Sequence, residues 1–177
     1  MKLLPYRIFL VALLTIAGTA LAEDPPATTF YTVEATVVGY DFIGLVPGGL
    51  RLNSKFAGTV TDGLFAGSTT EGVDHVLIRP DFVMEINIRE IITIPDGPPV
   101  AVTIKGYWVP TTEMPPLEAM LDPDFAMPDV EIPGHGAAWF ETMAPQYAFL
   151  NHTVFSFTGT ISIARGEVRV TYRSLAE

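Results

Sequence analysis

The feature of this 177-residue sequence that most constrains its fold is a succession of short β-like runs separated by turn signals. The runs are rich in β-branched and aromatic residues, and almost no stretch shows the apolar spacing of a helix. About eight such strands, paired with their sequence neighbours, predict a single closed or nearly closed antiparallel β-barrel, with a two-sheet sandwich as the alternative. The runs cover residues 28–38, 50–60, 74–94 as two strands, 100–109, 137–143, 153–163 and 168–170.

Residues 82–94 show the clearest alternation. Apolar Phe82, Met84, Ile86 and Ile88 alternate with Val83, Glu85, Asn87 and Arg89, which predicts a strand with one apolar and one polar face. Periodicity alone does not decide which face lines the interior of a barrel, because the apolar set would make an equally good core.

The segment Pro110–Pro133 differs from the rest of the chain. It is rich in Pro, Asp, Glu and Met, and only Leu117–Leu121 is compatible with a short helix. Long excursions of this kind in compact domains are either functional or disordered. We predict a surface loop that covers one end of the barrel as a flap, with a disordered insertion as the alternative.

The N-terminus predicts export. Lys2 and Arg7 precede an apolar run from Ile8 to Ala17, and small residues follow up to Ala22. The run is shorter than the roughly 20 residues that a membrane span requires, so we expect a Sec-type signal peptide over residues 1–22, cleaved after Ala22. The mature chain, residues 23–177, is then one domain, secreted or periplasmic, with no stable membrane anchor.

Charge and composition narrow the partners. Removing residues 1–22 takes away two basic residues and no acidic one, so the net charge of −10 becomes 8 minus 20, or −12. A strongly acidic domain is repelled by nucleic acid and by anionic lipid, and favours cationic or neutral ligands. The chain has no cysteine, which excludes disulfides, thiolate nucleophiles and thiolate metal sites.

One local cluster combines an imidazole with carboxylates. Asp74 precedes His75, and Arg79 and Asp81 lie close by. A carboxylate can orient a histidine for proton transfer, so Asp74 and His75 are the candidate catalytic residues. The alternative is a turn with solvated charges.

Two other groups are candidate ligand contacts. Glu85, Asn87 and Arg89 share one strand face, where an inward orientation would let Arg89 hold a carboxylate or carbonyl, and an outward one would make an ordinary wet face. Thr142, Tyr147 and Asn151 precede a strand and are candidates for the barrel mouth, or for turn hydrogen bonding. The three histidines are too scattered for a metal motif, and no nucleotide-binding or nucleophile motif occurs, so we expect neither a metal nor a cofactor.

A series of different short sequence elements spans most of the mature chain. In order they are Gly48–Gly49, Gly58, Gly72–His75, Asn87–Arg89, Thr93, Asp96–Gly97, Gly106, Phe140–Thr142, Tyr147–Asn151 and Gly159. Their order and spacing resemble the uncharacterised bacterial family known as domain of unknown function 3237. The resemblance implies a small barrel similar to calycins or to allene oxide cyclase, with no established activity.

Three functions remain open at this point. The first is an exported barrel that binds a small apolar ligand, with contacts from Arg89, Asn151 and Asp74. The second is a cofactor-independent isomerase or cyclase that acts in the lumen. The third is a structural envelope protein, which predicts no cavity. The sequence does not indicate an oligomeric state.

Overall fold

The computed structural model describes residues 29–122 and 124–175, and within them it confirms the antiparallel barrel. Each strand pairs with the next, and β8 pairs with β1 to close the sheet, which rules out the two-sheet sandwich. The predicted signal peptide lies outside the described residues. The strands are β1 (Thr29–Val46), β2 (Gly49–Gly63), β3 (Thr69–Ile78), β4 (Met84–Thr93), β5 (Val100–Trp108), β6 (Glu131–Glu141), β7 (Val154–Ser162) and β8 (Glu167–Ser174).

The predicted strand ends differ most from the structure in β1. The sequence predicts an end at Gly39, but β1 continues to Val46, with register shifts that flank Gly39 and Gly44. Gly39 fits because nothing lies within 4 Å of the space a side chain would occupy there. Beyond Thr36 the ladder of β1 continues with β2 alone, while β2 goes on pairing with β3 on its other side.

The lumen is lined by alternating large and small inward residues, as is typical of small barrels. Gly134 on β6 leaves the space that the Trp108 ring occupies, since a Cβ there would lie 2.0 Å from the ring. Gly72 on β3 likewise leaves space for the Phe56 ring on β2, since a Cβ at Gly72 would lie 2.7 Å from the Cζ atom of that ring. These glycines allow aromatic rings to lie across the barrel.

One end of the barrel is closed by aromatic side chains. Tyr31 and Tyr172 stack with ring centroids 4.3 Å apart, and Phe30 packs on Phe155 at 4.4 Å. Phe65, from the β2–β3 loop, meets Tyr31 edge to face at 5.5 Å. A 3-10 helix, Pro145–His152, lies at this end between β6 and β7.

The chain between β5 and β6 leaves from the opposite end. It contains a 3-10 helix, Leu117–Leu121, whose Leu117 is buried in the core while Met114 and Met120 pack against it. The sequence places the end of this excursion at Pro133, but β6 begins at Glu131 and includes Pro133 opposite Thr160. A flap function stays a prediction. In the described ranges, no helix has the length and apolarity needed to cross a membrane.

Candidate functional site

Two small cavities lie inside the barrel. The first, of about 50 Å³, is bounded mainly by apolar side chains from β1, β2, β4, β5, β7 and β8. The second, of about 60 Å³, lies toward the end of the barrel opposite the aromatic side chains, and it reaches Tyr40 and Ile163 near the surface. Ser54, Asp74, Trp108 and Ile161 line both cavities. The lumen is therefore not completely filled, and Asp74 lies where the two spaces meet.

Asp74 points inward from β3 and is 7% exposed. The ladder between β3 and β4 is interrupted beside it, since the register passes from the Asp74 and Ile88 pair directly to Leu77 and Glu85. At this gap the Asn87 backbone amide donates to Asp74 Oδ1 at 2.9 Å. Burial raises the pKa of the carboxyl from 3.8 to about 7, and the Asn87 amide opposes that shift.

Glu90 is the second inward acid and is 4% exposed. It lies on β4 and also lines the first cavity. The Thr70 hydroxyl donates to Glu90 Oε1. Burial raises the pKa of this carboxyl from 4.5 to about 7, and the Thr70 hydrogen bond opposes that shift. Both acids therefore change protonation state near neutral pH.

Glu90 is electrostatically coupled to the tyrosine pair at the closed end. The pKa of the Tyr31 hydroxyl is well above its usual range, first because of burial and then because of Tyr172 and Glu90. Burial followed by Glu90 raises the pKa of Tyr172 in the same way. Among the described residues the Tyr31 hydroxyl has no hydrogen-bond partner of standard geometry.

The charge around the lumen acids depends on which side chains line the two cavities with them. No Lys, Arg or His lines either cavity within the described parts of the chain. The structure also places no cluster of three or more His, Asp or Glu side chains suited to a metal among residues 29–122 and 124–175. The site is thus an apolar cavity with two carboxyls and without a built-in counter-charge.

The polar face of β4 is the outer face. Met84, Ile86 and Glu90 point into the barrel, so Glu85, Asn87 and Arg89 point outward and do not line the lumen. Arg89 Nη1 donates to Asn87 Oδ1 at 2.9 Å. Of the two orientations considered from the sequence, the structure therefore shows the outward one.

Asp74 and His75, the catalytic candidates of the sequence, lie on opposite faces of β3. Adjacent residues of a strand point to opposite faces, so Asp74 enters the lumen while His75 lies on the outer wall. His75 Nδ1 donates to Asn53 Oδ1 at 2.8 Å. Arg79 pairs with Asp81 at 2.6 Å and lies in the β3–β4 turn. His75 does line shallow outer grooves, one with Glu85 and Asn87 and one with Arg89.

Thr142 and Asn151 come together at the closed end of the barrel. Asn151 Oδ1 accepts from the Thr142 amide at 2.8 Å, and Asn151 Nδ2 donates to the Thr142 carbonyl at 3.0 Å. Tyr147 packs edge to face on Phe65 with centroids 5.3 Å apart. These contacts tie the 3-10 helix Pro145–His152 to Thr142, just after β6, and to the β2–β3 loop. None of the three residues lines either lumen cavity.

Sequence reasoning missed Glu90 and paired Asp74 with His75, whose side chain lies on the outer face. The alternation on β4 identified Met84, Ile86 and Ile88 as one face, and the next residue of that face is Glu90. An acid in the apolar register was the available signal. The same test applied to β3 puts Asp74 in register with Val76 and Ile78, which are both buried.

Comparison with known proteins supports the fold. Neither a family model nor a curated protein matches the chain. A protein of unknown function from Clostridium acetobutylicum is similar in structure, with TM-score 0.66 and 20% identity over 84% of this chain and 97% of its own. A conserved protein of unknown function from Rhodopseudomonas palustris has a TM-score of 0.60 and 23% identity, over 85% of this chain and 98% of its own. A beta-barrel like protein from Acinetobacter baumannii has a TM-score of 0.58 and 17% identity, over 86% of this chain and 99% of its own. At these identities the likeness shows the barrel fold alone.

Proposed function

We propose that this protein is a small-molecule-binding barrel whose ligand occupies the lumen beside Asp74 and Glu90. The observation that carries the proposal is the pair of buried carboxyls facing an apolar cavity of about 50 Å³. Ligand sites in barrels are typically concave and mostly apolar, with a few polar groups that fix orientation. A structural envelope role predicts no cavity, so the two cavities favour binding over it.

The proposed route to the site runs past Tyr40, from the end opposite the aromatic side chains. Tyr40 on β1, Ser54 on β2 and Asp74 on β3 lie in one row, because each is the register partner of the next. Tyr40 is partly exposed, and the second cavity joins it to Asp74. A ligand that enters beside Tyr40 meets Asp74 first and Glu90 deeper in the barrel.

The proposal is tested by filling the cavity. Ser54→Leu adds apolar volume where both cavities meet, while Thr59→Leu adds it on the same strand at an exposed position. A panel of small apolar metabolites is screened by thermal shift against the unmodified chain. A ligand present at about 100 times its Kd stabilises by about 2.7 kcal/mol, which is a measurable shift in Tm. Ser54→Leu should abolish the shift and Thr59→Leu should keep it; the same shift in both variants would place the ligand outside the lumen.

A cofactor-independent isomerase or cyclase is the second candidate. It is favoured by one observation, that two carboxyls with pKa about 7 face the same cavity. One carboxylate can remove a proton from a carbon while the other, protonated, donates to the adjacent carbonyl oxygen. Proton exchange of small ketones in D₂O, followed by NMR, tests this function. Exchange no faster than in buffer, or unchanged in Asp74→Asn, would rule it out for those substrates.

Export and family membership are also proposals, and both rest on sequence alone. The basic and apolar start with Ala20 and Ala22 supports cleavage after Ala22. The intact mass of the protein recovered from outside the producing cell tests the site. The spacing of the glycines and of the Asn87–Arg89 element supports the likeness to domain of unknown function 3237.

A further inference from the structure

We propose that the ligand of the lumen is a compact organic amine whose protonated nitrogen is held by Asp74 and Glu90. This inference rests on the proposed function and adds the chemical class of the ligand. It starts from an imbalance inside the barrel: two buried acids line one cavity, and no basic side chain of the described residues lines it with them.

The first step concerns hydrogen bonds that remain open. Asp74 Oδ1 accepts from Asn87 and Glu90 Oε1 accepts from Thr70, but in the described chain neither Asp74 Oδ2 nor Glu90 Oε2 has a hydrogen-bond partner. An alkylammonium group carries three N–H donors and no acceptor, so it fits two open carboxylate oxygens.

The second step concerns geometry. Gly72, which stands two residues before Asp74 on β3, is the register partner of Glu90 on β4, so the two acids are diagonal neighbours on the inner face. Diagonal positions of paired strands lie roughly 7–8 Å apart, and side chains of this length can converge on one atom between them.

The third step concerns the walls and the size. Trp108, Phe56 and Phe157 line the same cavity, and aromatic faces attract organic cations. A water needs roughly 10–15 Å³ of such space, so a cavity of about 50 Å³ accepts on the order of three to five heavy atoms. The acidic net charge of −10 also raises the local concentration of cations. A short alkylamine meets each condition.

The experiment compares n-butylamine with its neutral analogue 1-butanol by isothermal titration calorimetry on the full chain. At about pH 8 both carboxyls are largely ionised and the amine, like Lys with its pKa of about 10.4, is protonated. We expect butylamine to bind at least about tenfold more tightly than butanol, as charge-assisted hydrogen bonds predict. Asp74→Asn and Glu90→Gln should reduce that ratio to within about twofold and retain butanol binding, which also reports that the variants are folded.

Glu71→Gln is the matched control, because it removes the same charge from an exposed position of β3. It should leave the ratio unchanged. Equal affinity for the two probes would overturn the amine assignment and leave lumen binding standing. Undiminished butylamine binding by both lumen variants would overturn it as well, since the amine would then be held elsewhere. If neither probe binds and the apolar panel also gives no shift, the proposed function fails together with this inference.

Discussion

The two lumen carboxyls make the stability of the barrel depend on pH in a direction that the structure fixes. In the folded state the pKa of each carboxyl is about 7, against 3.8 for Asp74 and 4.5 for Glu90 in their ordinary state. Between these values the unfolded chain has lost the proton and the folded chain keeps it. The free energy of unfolding therefore falls as pH rises, is highest below about pH 4, and levels off above about pH 7.

The magnitude follows from 1.36 kcal/mol per pKa unit. Asp74 changes by 7 minus 3.8 and Glu90 by 7 minus 4.5, which gives about 4 and about 3 kcal/mol respectively. Their sum is a large part of the 5–15 kcal/mol, roughly, that stabilises a typical domain. Asp74→Asn keeps the oxygen that accepts from Asn87 and cannot ionise, so it should match the unmodified chain near pH 4 and exceed its stability near pH 8 by up to about 4 kcal/mol.

Urea unfolding followed by circular dichroism at several pH values from about 4 to 8 measures these differences as shifts in midpoint at constant slope. Glu90→Gln should remove the second part of the pH dependence, and the double variant should be nearly flat. Glu71→Gln, at an exposed position, should keep the pH dependence of stability that the unmodified chain shows. Stability that rises with pH over this range would refute the reasoning. So would lumen variants whose stability depends on pH as strongly as that of the unmodified chain.

Two further predictions concern how the barrel is filled and closed. Gly134→Ala brings a Cβ within 2.0 Å of the Trp108 ring and should destabilise by about 1–3 kcal/mol, whereas Gly39→Ala meets nothing within 4 Å and should not; equal urea midpoints for both would contradict the packing described. Asn151→Ala removes both hydrogen bonds to the Thr142 backbone and should lower the unfolding free energy by about 1–2 kcal/mol without changing ligand affinity. A loss of affinity at unchanged stability would instead support the ligand contact expected from the sequence.

The barrel could be predicted because the relevant signals are local. Pro80 in the β3–β4 turn and the alternation from Met84 onward identified two strands and their junction, and the Arg165–Gly166 turn identified the last hairpin. The predicted end of β1 at Gly39 was wrong, because a glycine does not end a strand when its backbone still pairs with a neighbouring strand. Gly39 pairs with Lys55 across a register shift, and no local pattern reports that partner.

The site was predicted less well, because its residues depend on which face of each strand points into the barrel. Asp74 was chosen for its neighbour His75, yet the period of a strand sends adjacent side chains to opposite sides. Arg89 was chosen for its charge, and closure of the sheet turned it outward with Asn87. Glu90 appears as a site residue only when the apolar face of β4 is known to be the inner one.

Methyl NMR tests the central claim, that a ligand occupies the lumen, most directly. Ile86, Ile104 and Ile161 line the first cavity, while Ile43 and Ile91 are exposed large apolar residues. With isoleucine methyls labelled, addition of n-butylamine or of a ligand found by thermal shift should move the signals of the three lumen residues and leave the two exposed ones in place. Shifts confined to Ile43 and Ile91, or saturable binding that moves none of the lumen methyls, would contradict the account.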